Sequence, residues 1–371
     1  MKPHESDPTK PSQRLLEEAI RRKVPLSCFF ELTYRCNFAC PMCYIRMTDA
    51  QAAPFGRLRT VDEWVNMAEQ LRDAGVLYLT LTGGECTRYP GFPNLYMHLS
   101  EMGFRITIMT NAARYSEDVE HAFAEYPPNG ASVSLYGGAD ETYALVTGDP
   151  RGFTETKKGV AFLQSLGTPV DLSYTVIRQN ALDYIKARAY AHSLGLPCAL
   201  TLDLIPHMYD RSYSNLDGTL LTPAEQACFF GRDSDDIERA LAEAPALEKR
   251  FGNFEHPTPD PNTDQPVRAC IGSQTGCAIR WNGEMNYCLS YRSITVKPFE
   301  VGFDAAWRQL RERHTDAFKL NRICAACAFL DECELSCPGR FWEGTRDPQT
   351  LDRQLCEYVY LLHVRRTAVN Q

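Results

Sequence analysis

Three of the fifteen cysteines in this chain fall within eight residues, Cys36-Asn37-Phe38-Ala39-Cys40-Pro41-Met42-Cys43, directly after the apolar run 26–32. Thiols packed so densely are disulfide partners in an oxidising compartment or metal ligands in a reducing one. The first 23 residues are polar and charged, with no apolar core and no cleavage pattern, so they do not read as a signal peptide. No uninterrupted apolar run approaches a membrane span. An odd cysteine count also leaves one thiol over in any all-disulfide scheme. The expectation is a cytoplasmic chain whose cysteines bind metal. With 39 basic and 47 acidic residues the net charge is −8, which argues against nucleic acid as a partner.

A length of 371 residues allows one large catalytic domain and a smaller one. Apolar runs at 26–32, 76–81, 104–109, 131–135, 170–177 and 199–205 read as strands. Amphipathic stretches at 61–74, 92–102, 116–125, 153–166 and 182–194 read as helices; Thr60 and Ser116 are candidate N-caps, and Gly75, Gly103, Gly167 and Gly195 candidate stops. This alternation predicts an α/β fold, a partial (β/α)6 TIM-like barrel. We expect a polar extension over 1–24, the barrel over 25–220, a helical bridge and linker over 221–265, and a Cys-rich domain over 266–371. The linker rests on Pro, Asp, Asn and Thr at 257–266. The segment 270–356 holds eight cysteines and little periodicity, so something other than apolar packing must hold it.

Three thiolates can hold three irons of a [4Fe–4S] cubane, which normally takes four. The open iron can then chelate the amine and carboxylate of S-adenosylmethionine (AdoMet), and an electron passed to the sulfonium breaks a C–S bond. A zinc site or buried thiols are the competing reading. Zinc sites more often pair two C-x2-C units, whereas the spacing here is x3 then x2 with no fourth ligand close by. A C-x3-C-x2-C loop after the first strand resembles the radical AdoMet superfamily. Met42 stands where that family often has an aromatic residue, a mild departure because the contact there is a backbone one.

The resemblance extends to Thr82-Gly83-Gly84-Glu85 at the second strand's end, similar to a GGE motif whose backbone and acid hold the AdoMet amine. Glycine admits close approach, and Glu85 would neutralise the ammonium. By the same resemblance Asn111 and Ser134 would contact carboxylate and ribose, and Val176 or Ile177 would pack on adenine. Each has a bland alternative, a capped turn or core packing. Cys86, after GGE, reads more readily as a small buried hydrophobe.

Further on come Cys270-x6-Cys277-x10-Cys288, then Cys324-x2-Cys327-x5-Cys333-x3-Cys337, and Cys356, with Gly283 five residues before Cys288. This closely resembles a SPASM domain. The resemblance implies one auxiliary [4Fe–4S] cluster on Cys270, Cys277, Cys288 and Cys337 and a second on Cys324, Cys327, Cys333 and Cys356, three clusters in all with the one on Cys36, Cys40 and Cys43. Two zinc ribbons are the alternative.

SPASM relatives often modify residues within peptides. The resemblance therefore implies hydrogen abstraction by a 5′-deoxyadenosyl radical and oxidation of a ribosomal peptide, through a thioether or carbon–carbon crosslink. A flavodoxin or ferredoxin would supply electrons. Leu289 stands where sulfatase-maturing relatives place an aspartate base, which weighs against formylglycine formation. About 25 residues precede the first strand, leaving no room there for a leader-recognition domain. A peptide would then need a separate recognition protein or direct binding in the barrel mouth. A small-molecule dehydrogenase or epimerase and a non-catalytic Fe–S carrier are the other readings. No catalytic acid or base is assigned: Tyr136, Asp203 and His207 lie near strand ends, and turn roles suit them as well.

Overall fold

The computed structural model describes residues 12–202, 218–229, 237–251, 258, 270–330, 333 and 353–369. Six parallel strands form the expected partial barrel: β1 (Ser27–Glu31), β2 (Tyr78–Thr82), β3 (Arg105–Thr110), β4 (Gly130–Leu135), β5 (Val170–Thr175) and β6 (Cys198–Thr201), in the order β6-β5-β4-β3-β2-β1. The connecting helices start and stop where the caps predict. Thr60 and Glu63 form a reciprocal capping box at the head of the Val61–Asp73 helix, and Gly75, at φ +103°, turns the chain into β2. Ser116 caps the Glu117–Glu125 helix.

The sheet then continues past the six strands read from the sequence. β7 (Gly276–Arg280) lies parallel to β1, in register from Ser27↔Gly276 to Glu31↔Arg280, and β8 (Met285–Asn286) pairs antiparallel with β7. The sheet thus crosses residue 266, where the sequence suggests a boundary. Alternation sets two faces. Phe30 packs on Trp64 of the Val61–Asp73 helix, ring centroids 4.5 Å apart. Cys28, and Cys277 and Ile279 beside it, share that helix-facing side. Glu31 and Arg280 point the other way, into the barrel.

Several elements depart from the sequence reading. Gln13–Arg22 is a helix capped by Ser12, within what reads as a polar extension; Trp307 Nε1 donates to the carbonyl of Lys23 at its end, 2.9 Å. Asp140–Thr147 is a further helix, closed by Gly148 at φ +75°. β5 ends at Thr175, short of residue 177, because the Asn180 side chain takes over the backbone there: Nδ2 donates to the Thr175 carbonyl, 2.9 Å, and Oδ1 accepts from Ile177 N, 2.8 Å. The stretch 221–246 carries parts of three helices, Pro223–Phe229, Ile237–Ala242 and Ala244–Phe251. Together with Arg353–Val369 they form a second apolar cluster, which includes Cys228 and Cys324. Among the described residues no helix is long and apolar enough to cross a membrane.

Candidate functional site

At the carboxyl ends of β1 to β6 lies a cavity of about 320 Å³, within the range of sites for small ligands. Cys36, Cys40 and Cys43 line it together with Thr82, Gly83, Gly84, Asn111 and Ser134. The structure thus gathers eight of the ten residues expected at this site into one wall. Among the described residues no three His, Cys, Asp or Glu side chains close on a single point as one metal ion would need. Three thiols spread along a cavity wall suit a cubane, in which each thiolate meets its own corner iron. Burial first, then the charge of Glu85, pushes the Cys36 thiol up to about 12; burial raises Cys40 well above its ordinary value. Such thiols ionise only against a cation, so loading iron here would release protons.

The cysteine loop is held from two sides. On one side stand the two glycines. Gly84 N donates to the Thr33 carbonyl, 2.7 Å, and Glu85 N to that of Arg35, 2.8 Å. A Cβ on Gly83 would meet Thr33 O at 2.5 Å, and one on Gly84 would meet Arg35 O at 2.5 Å. Both positions are glycine because the start of the cysteine loop presses on them, a reason the sequence reading had assigned to the ligand.

Glu85 does not line the cavity. It is buried, and its carboxylate is engaged by protein donors. Oε1 accepts from Thr87 N at 3.2 Å and from the Thr87 and Thr110 hydroxyls at 2.8 Å each; Oε2 accepts from Asn111 N at 2.8 Å. It pins the end of β3 to the turn after β2. Asn111 in turn donates to Asn37 Oδ1, 2.8 Å, and accepts from Ala113 N, 2.9 Å. The GGE-to-Asn111 segment is therefore one hydrogen-bonded frame beneath Cys36.

On the other side stands the end of β7. Trp281 is fully buried and packs edge-on against Tyr34, centroids 4.8 Å apart, in a cluster with Ile45 and Met47. Arg280 and Glu31, both fully buried, form an ion pair at 3.2 Å, and the Tyr44 hydroxyl donates to Glu31 Oε2 at 3.2 Å. Burial pushes the Glu31 carboxyl up, and Arg280 opposes that.

Ser134 lies on the cavity wall beside residues the sequence reading did not single out: Ser132, Ser173, Thr175 and Thr201. Ser134 pairs with Ser173, and Thr175 with Thr201, across β4, β5 and β6. Polar residues at every second strand position were the available signal. Val176 sits in the core and is absent from the cavity wall; Ile177 packs with Met42 and Val146. Asn180 was also missed; its amide ties the Tyr136 carbonyl on the β4 side to β5, 3.1 Å. Leu289 and Tyr136 line the cavity, so the position singled out for a base is occupied by an apolar side chain. Asp203 and His207 lie outside the described residues.

The C-terminal cysteines are more scattered. Cys270 is exposed, Cys277 is buried with its Sγ 3.5 Å from that of Cys28, and Cys324 is in the second apolar cluster. Cys288, Cys327, Cys333 and Cys356 are half-buried. Cys337 lies outside the described residues.

Residues 30–191 match the Radical SAM superfamily. The chain is similar to the sporulation killing factor maturation protein SkfB of Bacillus subtilis, 25% identical over 158 residues, 43% of this chain and only 37% of SkfB. It is also similar to the PqqA peptide cyclase of Rhodopseudomonas palustris, 28% identical over 325 residues, 83% of this chain and 80% of the cyclase. In three dimensions it resembles Streptococcus suis SuiB bound to precursor peptide SuiA, with a TM-score of 0.60 at 16% identity over 92% of this chain and 79% of SuiB, a likeness of fold. The three-cysteine loop at the mouth of a partial barrel and the match over residues 30–191 agree: this part of the chain carries a radical SAM superfamily domain.

Proposed function

We propose that this chain is a radical SAM peptide maturase that oxidises a ribosomally made peptide, forming a thioether or carbon–carbon crosslink. The observation that carries the reading is the single cavity shared by Cys36, Cys40, Cys43, the Gly83-Gly84 backbone, Asn111 and Ser134. When bound there, a [4Fe–4S] cluster and AdoMet would supply a 5′-deoxyadenosyl radical for hydrogen abstraction. The chain's own contribution is to hold and orient. Cys36, Cys40 and Cys43 would carry the iron. Thr82, Gly83 and Gly84 would offer backbone to the AdoMet amino-acid end. Asn111 and Ser134 would face its polar groups, with Glu85 acting through Asn111. Val176 would serve through core packing behind the adenine side.

The peptide class is supported by the PqqA peptide cyclase, named for it, by SkfB, named as a maturation protein, and by the fold neighbour SuiB with its precursor peptide. Formylglycine formation is disfavoured, since Leu289 brings no acid to the wall. A small-molecule dehydrogenase or epimerase is the second reading, favoured by the hydroxyl row Ser132, Ser134, Ser173, Thr175 and Thr201. We further propose that Cys270, Cys277, Cys288 and Cys337 hold one auxiliary cluster and Cys324, Cys327, Cys333 and Cys356 another, with an external flavodoxin or ferredoxin as reductant. Cys277 is the least prepared of these, with its thiol packed beside Cys28.

Anaerobic reconstitution with iron and sulfide tests the proposal. About twelve irons per chain are expected for three cubanes, with reductive cleavage of AdoMet to 5′-deoxyadenosine. Cys36→Ala, Cys40→Ala and Cys43→Ala should each abolish cleavage. A mass change in a precursor peptide, absent with sugars or other small molecules, separates the two substrate readings. A wild-type protein that binds iron yet never cleaves AdoMet would refute both.

A further inference from the structure

We propose that Arg280 is a positioning residue of the cysteine-loop cavity, joining the Cys43 end of the loop to the Leu289 wall through one buried guanidinium. This rests on the reading of that cavity as the AdoMet site. It adds that a residue of the C-terminal, cysteine-rich half of the chain shapes a site otherwise built by the barrel.

The guanidinium reaches three segments at once. Nη1 faces Glu31 at 3.4 and 3.2 Å, and Glu31 accepts from Tyr44, the residue after Cys43. Nε donates to Asn286 Oδ1 on β8 at 2.9 Å, and Nη2 to the carbonyl of Leu289 at 2.6 Å. Leu289 lines the cavity and follows Cys288, one of the proposed auxiliary ligands. Neither Arg280 nor Glu31 is exposed at all.

Stability alone does not account for this arrangement. The desolvation cost of a buried ion pair is commonly as large as its attraction, and an apolar pair of similar volume folds as well or better. What the apolar pair lacks is direction. A planar fork with five donors fixes the relative placement of its acceptors, whereas a lysine is a flexible point charge. The neighbours of Arg280 bear on the same region: Trp281 packs on Tyr34, Ile45 and Met47, and Asn282 Nδ2 donates to the Phe55 carbonyl at 3.1 Å.

The test uses the full chain, reconstituted anaerobically, as wild type, Glu31→Leu/Arg280→Met and Arg280→Lys. The double variant removes both charges of the pair, so neither is left without the other and the fold should persist, checked by far-UV dichroism and the melting temperature. We expect its AdoMet dissociation constant to rise by about tenfold or more. Amide exchange should quicken by about tenfold in both 43–47 and 286–291, with β2 to β4 unchanged. Arg280→Lys keeps a charge for Glu31 but not the fork, and should show the faster exchange chiefly in 286–291. Wild-type AdoMet affinity and exchange in the folded double variant would overturn the proposal, as would faster exchange in only one of the two segments. Should wild type itself bind no AdoMet, the parent reading fails, and the paired exchange response still decides whether Arg280 couples the two segments.

Discussion

The two cysteine-bearing regions of this molecule are organised by different forces. Around Cys36, Cys40 and Cys43 the backbone is tied closely to the sheet: Gly84 and Glu85 bond the loop's start, Glu85 ties β2 to β3, and Trp281 fills the space beneath. From Cys270 onward the thiols range from exposed to buried and belong to different local surroundings: Cys277 lies in the sheet beside Cys28, and Cys324 lies among helices. The comparison teaches that a ligand loop can be preformed where a sheet end supplies caps and glycines. Thiols spread over nearly ninety residues, if they hold the proposed auxiliary clusters, would depend on the metal to complete their arrangement.

The contrast can be broken most forcefully at the strut between the regions. Glu31→Leu takes the carboxylate away from the buried Arg280 guanidinium, and should cost about 3–5 kcal/mol, read by denaturant unfolding. A loss under about 1 kcal/mol would mean water or another group reaches Arg280 easily. Next in size is removal of the proposed clusters by chelation. Exchange in the Arg353–Val369 helix should quicken by on the order of a hundredfold, while 30–47 changes by no more than a few-fold. Equal changes in both regions would erase the distinction between them.

Gly84→Ala probes the preformed loop directly. Its Cβ would meet a backbone oxygen that cannot swing away, so a loss of about 1–3 kcal/mol is expected, together with lower iron uptake at the first site. Wild-type melting and iron content would show that the loop yields freely.

The smallest effect concerns acid. His314, buried against Ser273 and the Phe318 ring, is held near about 4 by burial and then by Arg311. Its folded value lies below its unfolded one, so its contribution is intact above about pH 6.5 and is lost as pH falls toward 4. Glu63, held at about 2 chiefly by Arg57, loses its contribution only below about 4.5. Acid titration followed by exchange should therefore weaken the Phe303–Ala317 helix before the Val61–Asp73 helix. His314→Gln should flatten the upper branch by at most one proton, or about 1.4 kcal/mol per pH unit. Simultaneous weakening of the two helices would contradict this order.

Much of the barrel was legible in the chain itself. Apolar runs of strand length, N-caps such as Thr60 and stops such as Gly75 are local signals, and all six parallel strands fall where those signals stand. The Gln13–Arg22 helix was hidden by its charged composition: its stability comes from packing on partners distant in sequence, among them Trp307. β7 was hidden for a similar reason. Its five residues, among them a cysteine and an arginine, are all buried, so no polar–apolar alternation marks them.

The site divides along the same line. Spacing pointed to Cys36, Cys40 and Cys43, because close thiols are chemistry readable without coordinates, whereas Gly83 and Gly84 came from a family resemblance. The roles of Glu85, Asn180 and Arg280 could not be read that way. A carboxylate, an amide or a guanidinium looks the same in a sequence whether it faces ligand, solvent or another strand. What the amino-acid order determined was which short segments would be strands, helices and a cysteine loop. Tertiary structure alone decided that β7 closes on β1 and sets Arg280 against Glu31, since a pairing across some 250 residues leaves no local trace.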